Sequence, residues 1–342
     1  MKIINVRAEH NYQVEIGVEF SSAIKQICNN HRKVLLLAPA SLIKLFKIKE
    51  SKSLFLLPTP NGESQKSAQF LDRIWRKAAS IGLERSDAII GFGGGATTDV
   101  AGFAAATWLR GISWYAIPTS LAGMVDAGIG GKTGINSGAG KNLIGSFHSP
   151  KKVFIDPHFL ESLPKRDISA GMAEVIKCGF IADYKILNLV QEDILDYPQL
   201  ISRAVKVKAD VVSKDFKESK LREILNYGHT LGHAIEKDSK YKLRHGEAVS
   251  IGMVFAAELS KELVNLSEDA VLLHRELLRN FNLPLLWNTS GIKDMSGLFK
   301  GCHNFNQPLY PDSLPESLTE LYFGYKFNQL IKSNILPKSL NK

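Results

Sequence analysis

The sequence predicts an α/β fold in which a parallel-sheet domain precedes an all-helical one, and three features of its patterning predict it. Short apolar runs recur in the first part at the spacing of alternating strands and helices. A glycine-rich turn joins one of these runs to an alanine-rich segment. From about Pro157 the apolar residues fall at helical rather than strand spacing.

Taken in order, Met-Lys-Ile-Ile-Asn-Val at the start reads as a strand rather than a signal peptide. Lys33 to Leu37, Leu54 to Leu57, Ala88 to Gly91, Trp114 to Ile117 and Val153 to Asp156 read as further strands. They are continuously apolar, as strands of a parallel sheet covered on both faces tend to be. Thr97 to Trp108 is rich in alanine with an apolar stripe and reads as a helix. Later helices are expected over Met172 to Ile181, Leu187 to Leu195, Leu200 to Val212, Thr230 to Glu236, Glu247 to Leu263 and Asp269 to Phe281. The divisions that follow are 1–156 for the sheet domain, 157–295 for the helical domain and 300–342 for a tail of different character.

Composition narrows the function classes. A chain of 342 residues with 44% apolar side chains is long enough for two packed cores. The formal charge of +9 is spread along the chain, with no basic run interleaved with aromatics, which argues against a nucleic-acid surface; anionic small molecules explain part of it and a solvated surface the rest. No apolar run reaches the roughly 18 residues of a membrane span. Cys28, Cys178 and Cys302 have neither disulfide nor metal-site spacing, so a reducing, cytoplasmic setting is expected.

The densest chemistry lies in Gly171-Met-Ala-Glu174-Val-Ile-Lys177, Asn226-Tyr-Gly-His229-Thr-Leu-Gly-His233 and Arg244-His245-Gly-Glu247. On helices, Glu174 and Lys177 share a face at i,i+3, and His229 and His233 share one at i,i+4. A carboxylate and two imidazoles with one open position are a common zinc constellation. Spacing alone leaves two ligands to be chosen from His229, His233 and His245. A helix carrying H-x-x-x-H can equally hold one solvated and one hydrogen-bonded histidine.

The second concentration is Gly91-Phe-Gly93-Gly94-Gly95-Ala-Thr-Thr-Asp99-Val-Ala-Gly102. A strand, a glycine turn and a helix N-terminus form a phosphate cradle, since backbone N–H groups face the anion with no Cβ in the way. Gly91-x-Gly93-x-x-Ala96 fits a loose dinucleotide fingerprint. It lacks the acidic residue usual about 20 positions further on, so a purely structural turn is the competing reading. Gly130-Gly131-Lys132-Thr133 has the order of a P-loop, but Asp126 stands where that motif needs its first glycine, so the P-loop is rejected. With Lys141 and Asn142 close behind, the stretch reads as an anion site on flexible backbone.

In this order the segments resemble the 3-dehydroquinate synthases of the sugar-phosphate cyclase family. The likeness runs from about Asn61 to about Leu285, through Asn61-Gly-Glu63-Ser-Gln-Lys66, the glycine turn, Arg110-Gly111, Pro118-Thr119-Ser120, the Gly-Gly-Lys-Thr-Gly-Ile-Asn stretch and the three metal segments. The resemblance implies an N-terminal Rossmann-like NAD domain followed by an all-helical metal-binding domain, with the active site in the cleft between them. It implies Glu174, His229 and His245 as ligands to zinc or cobalt, with His233 facing the substrate. It assigns NAD to Asn61, Gly62, Glu63, Ser64, Gln65 and Lys66, to Gly94, Gly95, Ala96, Thr97, Thr98 and Asp99, and to Thr119, Ser120, Lys132 and Lys141. Phe159, Leu160, Glu161 and Ser162 would lie against the same cofactor. Lys177, Lys208, Arg222, Asn226 and Asn142 would hold a sugar acid phosphate, and Arg110 would reach a phosphate in the neighbouring subunit of a homodimer. The implied reaction converts 3-deoxy-D-arabino-heptulosonate 7-phosphate to 3-dehydroquinate and phosphate, by transient NAD oxidation, phosphate elimination, re-reduction and intramolecular aldol closure. Alternatives are another sugar-phosphate cyclase, a glycerol-dehydrogenase-like enzyme, or a catalytically impaired relative that binds through its tail.

Two stretches depart from the family. Ala38-Pro39-Ala40 stands where an acidic residue usually meets the adenosine ribose. Past Asn288 the family's paired lysines and last substrate-contacting lysine are not recognisable. Instead Phe305-Asn-Gln-Pro-Leu309 recurs as Phe327-Asn-Gln-Leu-Ile331, and Leu314-Pro-Glu-Ser-Leu318 as Leu336-Pro-Lys-Ser-Leu340, both with a period of 22. This resembles FNIP repeats, relatives of leucine-rich repeats. Phe305, Leu314, Leu318, Leu321, Phe327 and Leu336 are expected to form their apolar side, with Lys300 or Lys326 the candidates to replace the missing lysine and weakened catalysis the consequence.

Overall fold

The computed structural model of the protein describes residues 1–138, 140–287, 314, 316–322, 328–329, 331 and 336–340. The described chain forms strands β1 (Lys2–Val6), β2 (Tyr12–Ile16), β3 (Val34–Pro39), β4 (Leu54–Thr59), β5 (Ala88–Gly93), β6 (Ser113–Pro118), β7 (Lys132–Ser137), β8 (Gly140–Phe147) and β9 (Lys152–Ile155). Its α-helices are α1 (Phe20–Asn30), α2 (Ala40–Leu45), α3 (Ala68–Ser80), α4 (Gly95–Thr107), α5 (Lys165–Ile181), α6 (Tyr184–Leu189), α7 (Tyr197–Lys214), α8 (His229–Asp238), α9 (His245–Val264) and α10 (Glu268–Asn280). The chain packs as two compact units, residues 1–227 with 280–283, and residues 228–279 with 284–342.

The first unit is built on a seven-stranded sheet in the order β1-β2-β9-β6-β5-β3-β4. β1 and β2 pair antiparallel, with Ile4 opposite Val14. Every other pairing is parallel: Val14 faces Val153, Ala116 faces Val153, Gly91 faces Ala116, Leu36 faces Ile90 and Leu36 faces Leu56. All five apolar runs expected as strands are strands of this sheet, and Val34 through Ala38 are wholly buried. The strand order reverses between β3 and β5, with β4 beyond β3 and β6 beyond β5. Ligands of open α/β sheets bind at such a reversal, outside the carboxyl ends of the strands, and β5 ends there at Gly93.

Two expectations change. Leu187 to Leu195 is not one helix: α6 stops at Leu189 and Ile194 is exposed. Asp196 caps α7, its side chain accepting from the Gln199 N–H at 2.9 Å, and Pro198 occupies that helix's first turn, so the chain breaks beforehand. The glycine-rich stretch read as flexible backbone is an antiparallel β7–β8 hairpin. Its glycines serve close strand approach, for a Cβ on Gly145 would lie 2.3 Å from the Thr133 carbonyl oxygen.

The second unit packs α8 against α9. Gly228, just before α8, has φ +76, and a Cβ on Gly252 would fall 1.9 Å from its carbonyl oxygen. Only glycine at these positions permits that approach. Ile235, Ala248 and Ile251 form the buried centre, covered by Leu231, Leu243 and Trp287. In the tail, Leu314 and Leu318 are buried and Leu336 is exposed, so Leu336 does not join the apolar side expected for it. The Ser339 hydroxyl donates to the Leu318 carbonyl at 2.6 Å. Ser339 is the repeat counterpart of Ser317, so this bond ties one repeat to the next. Phe305, Phe327, Lys300, Lys326 and Cys302 lie outside the described residues. Among the described residues no helix is long and apolar enough to cross a membrane.

Candidate active site

In the first unit the glycine turn opens α4 directly from β5. Gly94 is the N-cap residue, and the Thr97 N–H donates to its carbonyl at 2.9 Å. A Cβ at Gly93 would lie 2.5 Å from Thr97 Oγ1 and one at Gly95 2.8 Å from the Ala127 Cβ, so packing alone requires both glycines. At Gly94 a Cβ would meet only Ser120 Oγ, at an ordinary 3.4 Å. Nothing within the fold demands glycine there, which fits a position that a ligand approaches. Thr97 and Thr98 are buried in the helix that follows, and Ala96 and Asp99 are partly so. Thr119 donates its N–H to the Gly93 carbonyl at 2.8 Å, which holds the end of β6 and Ser120 beside the turn.

Lys66 links this turn to the hairpin. Its ammonium donates to Asp99 Oδ2 at 2.7 Å and to the Asn142 side-chain oxygen. Asn136 completes the network: its side chain donates to Glu63 at 2.8 Å, accepts the Asn142 N–H at 3.0 Å, and its own N–H bonds the Lys66 carbonyl. Burial opposes the charge on Lys66, but Asp99 and Glu63 outweigh it and raise its pKa. Burial pushes the Asp99 carboxyl up against the pull of Lys66. Asn61, Gly62 and Ser64 are exposed on the short 3-10 segment beside Lys66, whereas Gln65 is buried. Lys141 is partly buried on β8. Phe159 and Leu160 are buried, the Phe159 ring meeting Phe20 and Phe46 edge-on and Phe92 at a tilt, whereas Glu161 and Ser162 face solvent.

A second polar cluster in the same unit is unusually rich in buried charge. Glu174 and Lys177 lie one turn apart on α5, 2.5 Å between charged atoms and each 1% exposed. Lys177 also donates to the Leu225 carbonyl at 2.7 Å. Burial opposes its charge, yet Glu174 and Asp126 hold its pKa above the ordinary value. Lys208 pairs with Asp126, and burial nevertheless pushes the Lys208 pKa down. For Asp126 burial acts upward, but Lys208 overrides it and the carboxyl falls to about 2. Arg222 is buried, donates to the Gly130 carbonyl at 3.1 Å and has its pKa lowered by burial. Asn226 donates to Glu218 at 3.0 Å, and the other Glu218 oxygen meets Lys132.

Three carboxylates and amides of these clusters escaped the sequence reading. In the sequence Asp126 stands out only as the residue that breaks a P-loop. Glu218 lies in a short charged run that looks solvated, and Asn136 in a run dominated by glycine. Arg110 stands apart and exposed, after Leu109 in a left-handed run with φ of 49, 65 and 115 through Gly111.

In the second unit the imidazoles converge. The ring centroids of His229 and His245 lie 5.0 Å apart, those of His229 and His233 5.3 Å, and those of His233 and His245 5.9 Å. His229 is buried and His233 exposed. His245 opens α9, where the Arg244 N–H is held by Glu247 Oε2 at 2.8 Å. Glu236, which the sequence marks only as the end of a helix, is buried on α8 with Oε2 3.0 Å from His245 Nδ1. Several imidazoles with a neighbouring carboxylate are the donor set that zinc or cobalt takes.

Comparison with known proteins places the fold. A crystal structure of 2-deoxy-scyllo-inosose synthase complexed with carbaglucose-6-phosphate, NAD+ and Co2+ superposes with TM-score 0.73 at 26% identity, covering 84% of each chain. The 2-epi-5-epi-valiolone synthase of Streptomyces hygroscopicus, solved with NAD+ and Zn2+, gives TM-score 0.74 at 26% identity, over 83% of this chain and 84% of that one. A probable glycerol dehydrogenase of Sinorhizobium meliloti, 16% identical with TM-score 0.60, shares the fold. The fold therefore has the architecture of sugar-phosphate cyclases. Residues 56–170 match the 3-dehydroquinate synthase N-terminal family and residues 171–301 the 3-dehydroquinate synthase C-terminal family, the latter extending past Asn288. The 3-dehydroquinate synthase of Mycobacterium leprae is 46% identical over 306 residues, 85% of each chain, and that of Corynebacterium diphtheriae 43% over 310, 86% of each. This chain belongs to the 3-dehydroquinate synthase family. Residues 305–342 match the FNIP repeat.

Proposed function

We propose that the protein is an NAD- and divalent-metal-dependent phosphate-eliminating cyclase that converts 3-deoxy-D-arabino-heptulosonate 7-phosphate to 3-dehydroquinate and phosphate, a step of the shikimate pathway to aromatic amino acids. Family membership across nearly the whole catalytic region carries this reading. The buried lysines and arginine of the first unit support it, because a substrate with a carboxylate and a phosphate gives such cations a counter-charge.

Glu174, His229 and His245 hold the metal in this reading, and His233 faces the substrate. Bound NAD supplies a temporary hydride acceptor, and zinc or cobalt supplies Lewis acidity toward a substrate alcohol. The chain's own residues do the positioning. Gly94, Gly95 and the first turn of α4 receive the pyrophosphate, with Asp99, Lys66 and Lys132 nearby. Asn61 to Gln65, Thr119, Ser120, Lys141 and Phe159 to Ser162 complete the cofactor contacts. Lys177, Lys208, Arg222, Asn226 and Asn142 bind the substrate's carboxylate, hydroxyls and phosphate. Lys177 and Lys208 enter that role already paired with Glu174 and Asp126, so they are held in place before the anion arrives.

The same reading makes the protein a cytoplasmic homodimer, with Arg110 serving a neighbouring subunit. Its successive left-handed residues support this, since backbone strain of that kind concentrates at functional positions. It keeps residues 1–156 as the NAD domain, 157–295 as the metal and substrate domain and 300–342 as the repeat tail. Expression in a bacterium lacking this activity should restore growth without aromatic amino acids. Failure of the wild-type protein to do so, when soluble and metal-loaded, would count against the assignment.

A further inference from the structure

We infer that Glu236 is a positioning residue for the metal centre, one that fixes the tautomer and ring orientation of His245. The inference rests on the reading of His245 as a metal ligand. Glu236 lies three residues after His233 and seven after His229, on the same side of α8. Its side chain is 4% exposed, and Oε2 lies 3.0 Å from His245 Nδ1. A carboxylate buried to that degree is costly unless hydrogen-bonded, so the contact is part of the packed structure.

The backbone of His245 is fixed independently, by the Glu247 cap on the Arg244 N–H at 2.8 Å. What that cap leaves undetermined is rotation of the imidazole and the nitrogen that carries its proton. A carboxylate facing Nδ1 settles both: it favours the Nδ1–H tautomer and makes Nε2 the metal-binding nitrogen. The carboxylate also raises the basicity of the ring as a ligand. Gly232 and Gly252 make the arrangement possible, because the close packing of α8 on α9 brings Glu236 up to the start of α9.

A competing geometry exists within the same unit. Ligand atoms of His233, Glu236 and His245 lie within 4.8 Å of one another, so Glu236 is also near enough to bind an ion directly. The hydrogen-bond distance to Nδ1, with Glu236 buried and His233 exposed, favours the supporting role.

The test uses full-length Glu236→Gln and Glu236→Ala proteins, with Glu174→Ala and His245→Ala as controls. Co2+ affinity is measured by chelator competition, the visible Co2+ spectrum reports coordination, and long-range proton–nitrogen NMR of the metal-free protein reads the His245 tautomer. The expected result is a wild-type Nδ1–H tautomer and, in Glu236→Gln, one ion per chain with an unchanged spectral shape and a ten- to hundredfold weaker affinity. Unchanged affinity in Glu236→Gln would overturn the inference, and so would an altered Co2+ spectrum, which would make Glu236 a ligand. The isosteric glutamine keeps the test decisive if the alanine protein does not fold. If Glu174→Ala and His245→Ala both retain the ion, the ligand assignment itself fails, whatever Glu236→Gln does.

Discussion

Lys66 Nζ lies 2.7 Å from Asp99 Oδ2, a nearly buried ion pair that ties the 3-10 segment after β4 to the first turns of α4. Removing the ammonium leaves Asp99 without this partner in a largely dry site. Lys66→Met should therefore cost roughly 3 kcal/mol of stability and weaken NAD binding. Adding Asp99→Asn should recover most of the stability, because the uncompensated carboxylate is then gone. Chemical denaturation of the two single variants and the double variant measures this coupling, and simple additivity would argue against it.

Gly94 offers a test that separates fold from ligand. Because a Cβ there meets only Ser120 Oγ at 3.4 Å, Gly94→Ala should melt within a degree or two of wild type. Gly94→Val should raise the apparent NAD constant at least tenfold by filling the space over the helix N-terminus. Calorimetric titration of NAD into both variants checks this, and an unchanged constant would remove the pyrophosphate from this turn.

The Asp126–Lys208 pair sets an acid limit. With the folded carboxyl at about 2, below an ordinary value of about 3.9, its contribution is present above pH 4 and is lost as the pH falls toward 2. Urea unfolding between pH 2 and 5 should show wild-type stability declining over that window. In Asp126→Asn the protein should be less stable at pH 5 and its decline shallower. Parallel slopes would assign the acid sensitivity to other carboxylates, Asp215 among them.

The parallel sheet was legible because its strands are continuously apolar, α7, α8 and α10 because they bury one face, and α4, α5 and α9 because their runs of small and apolar residues are too long for strands. The sequence lost α6 at Leu189, where a cap and a proline two residues apart outweigh an apolar run. It also took the β7–β8 glycines for flexibility, since a glycine needed for close strand approach looks the same as one needed for a turn. The site's glycines, lysines and histidines stood out by spacing or resemblance. Asp126, Glu218 and Asn136 did not, because each works through a partner distant in sequence, Lys208, Lys132 and Lys66, and Glu236 did not, because its partner His245 lies on the next helix rather than one turn away.

The tail gives a prediction of its own. Leu318 is wholly buried and the Ser339 hydroxyl bonds its carbonyl, so these two points of the tail are packed. Leu318→Ala should cost about 2 to 4 kcal/mol, and deletion after Asn304 should lower both the melting temperature and the turnover number. Thermal melts and steady-state assays check this, and a deletion protein indistinguishable from the full chain would show that the repeats contribute nothing.

The central claim is metal- and NAD-dependent phosphate elimination with carbocycle closure. Its most direct measurement is incubation of the purified protein with 3-deoxy-D-arabino-heptulosonate 7-phosphate, zinc or cobalt, and NAD well below the substrate concentration, following phosphate, product and NADH together. One phosphate released per 3-dehydroquinate formed, over many turnovers per NAD and without accumulated NADH, is the predicted result. Bound metal and NAD with no phosphate release, or NADH accumulating in proportion to substrate consumed, would contradict it.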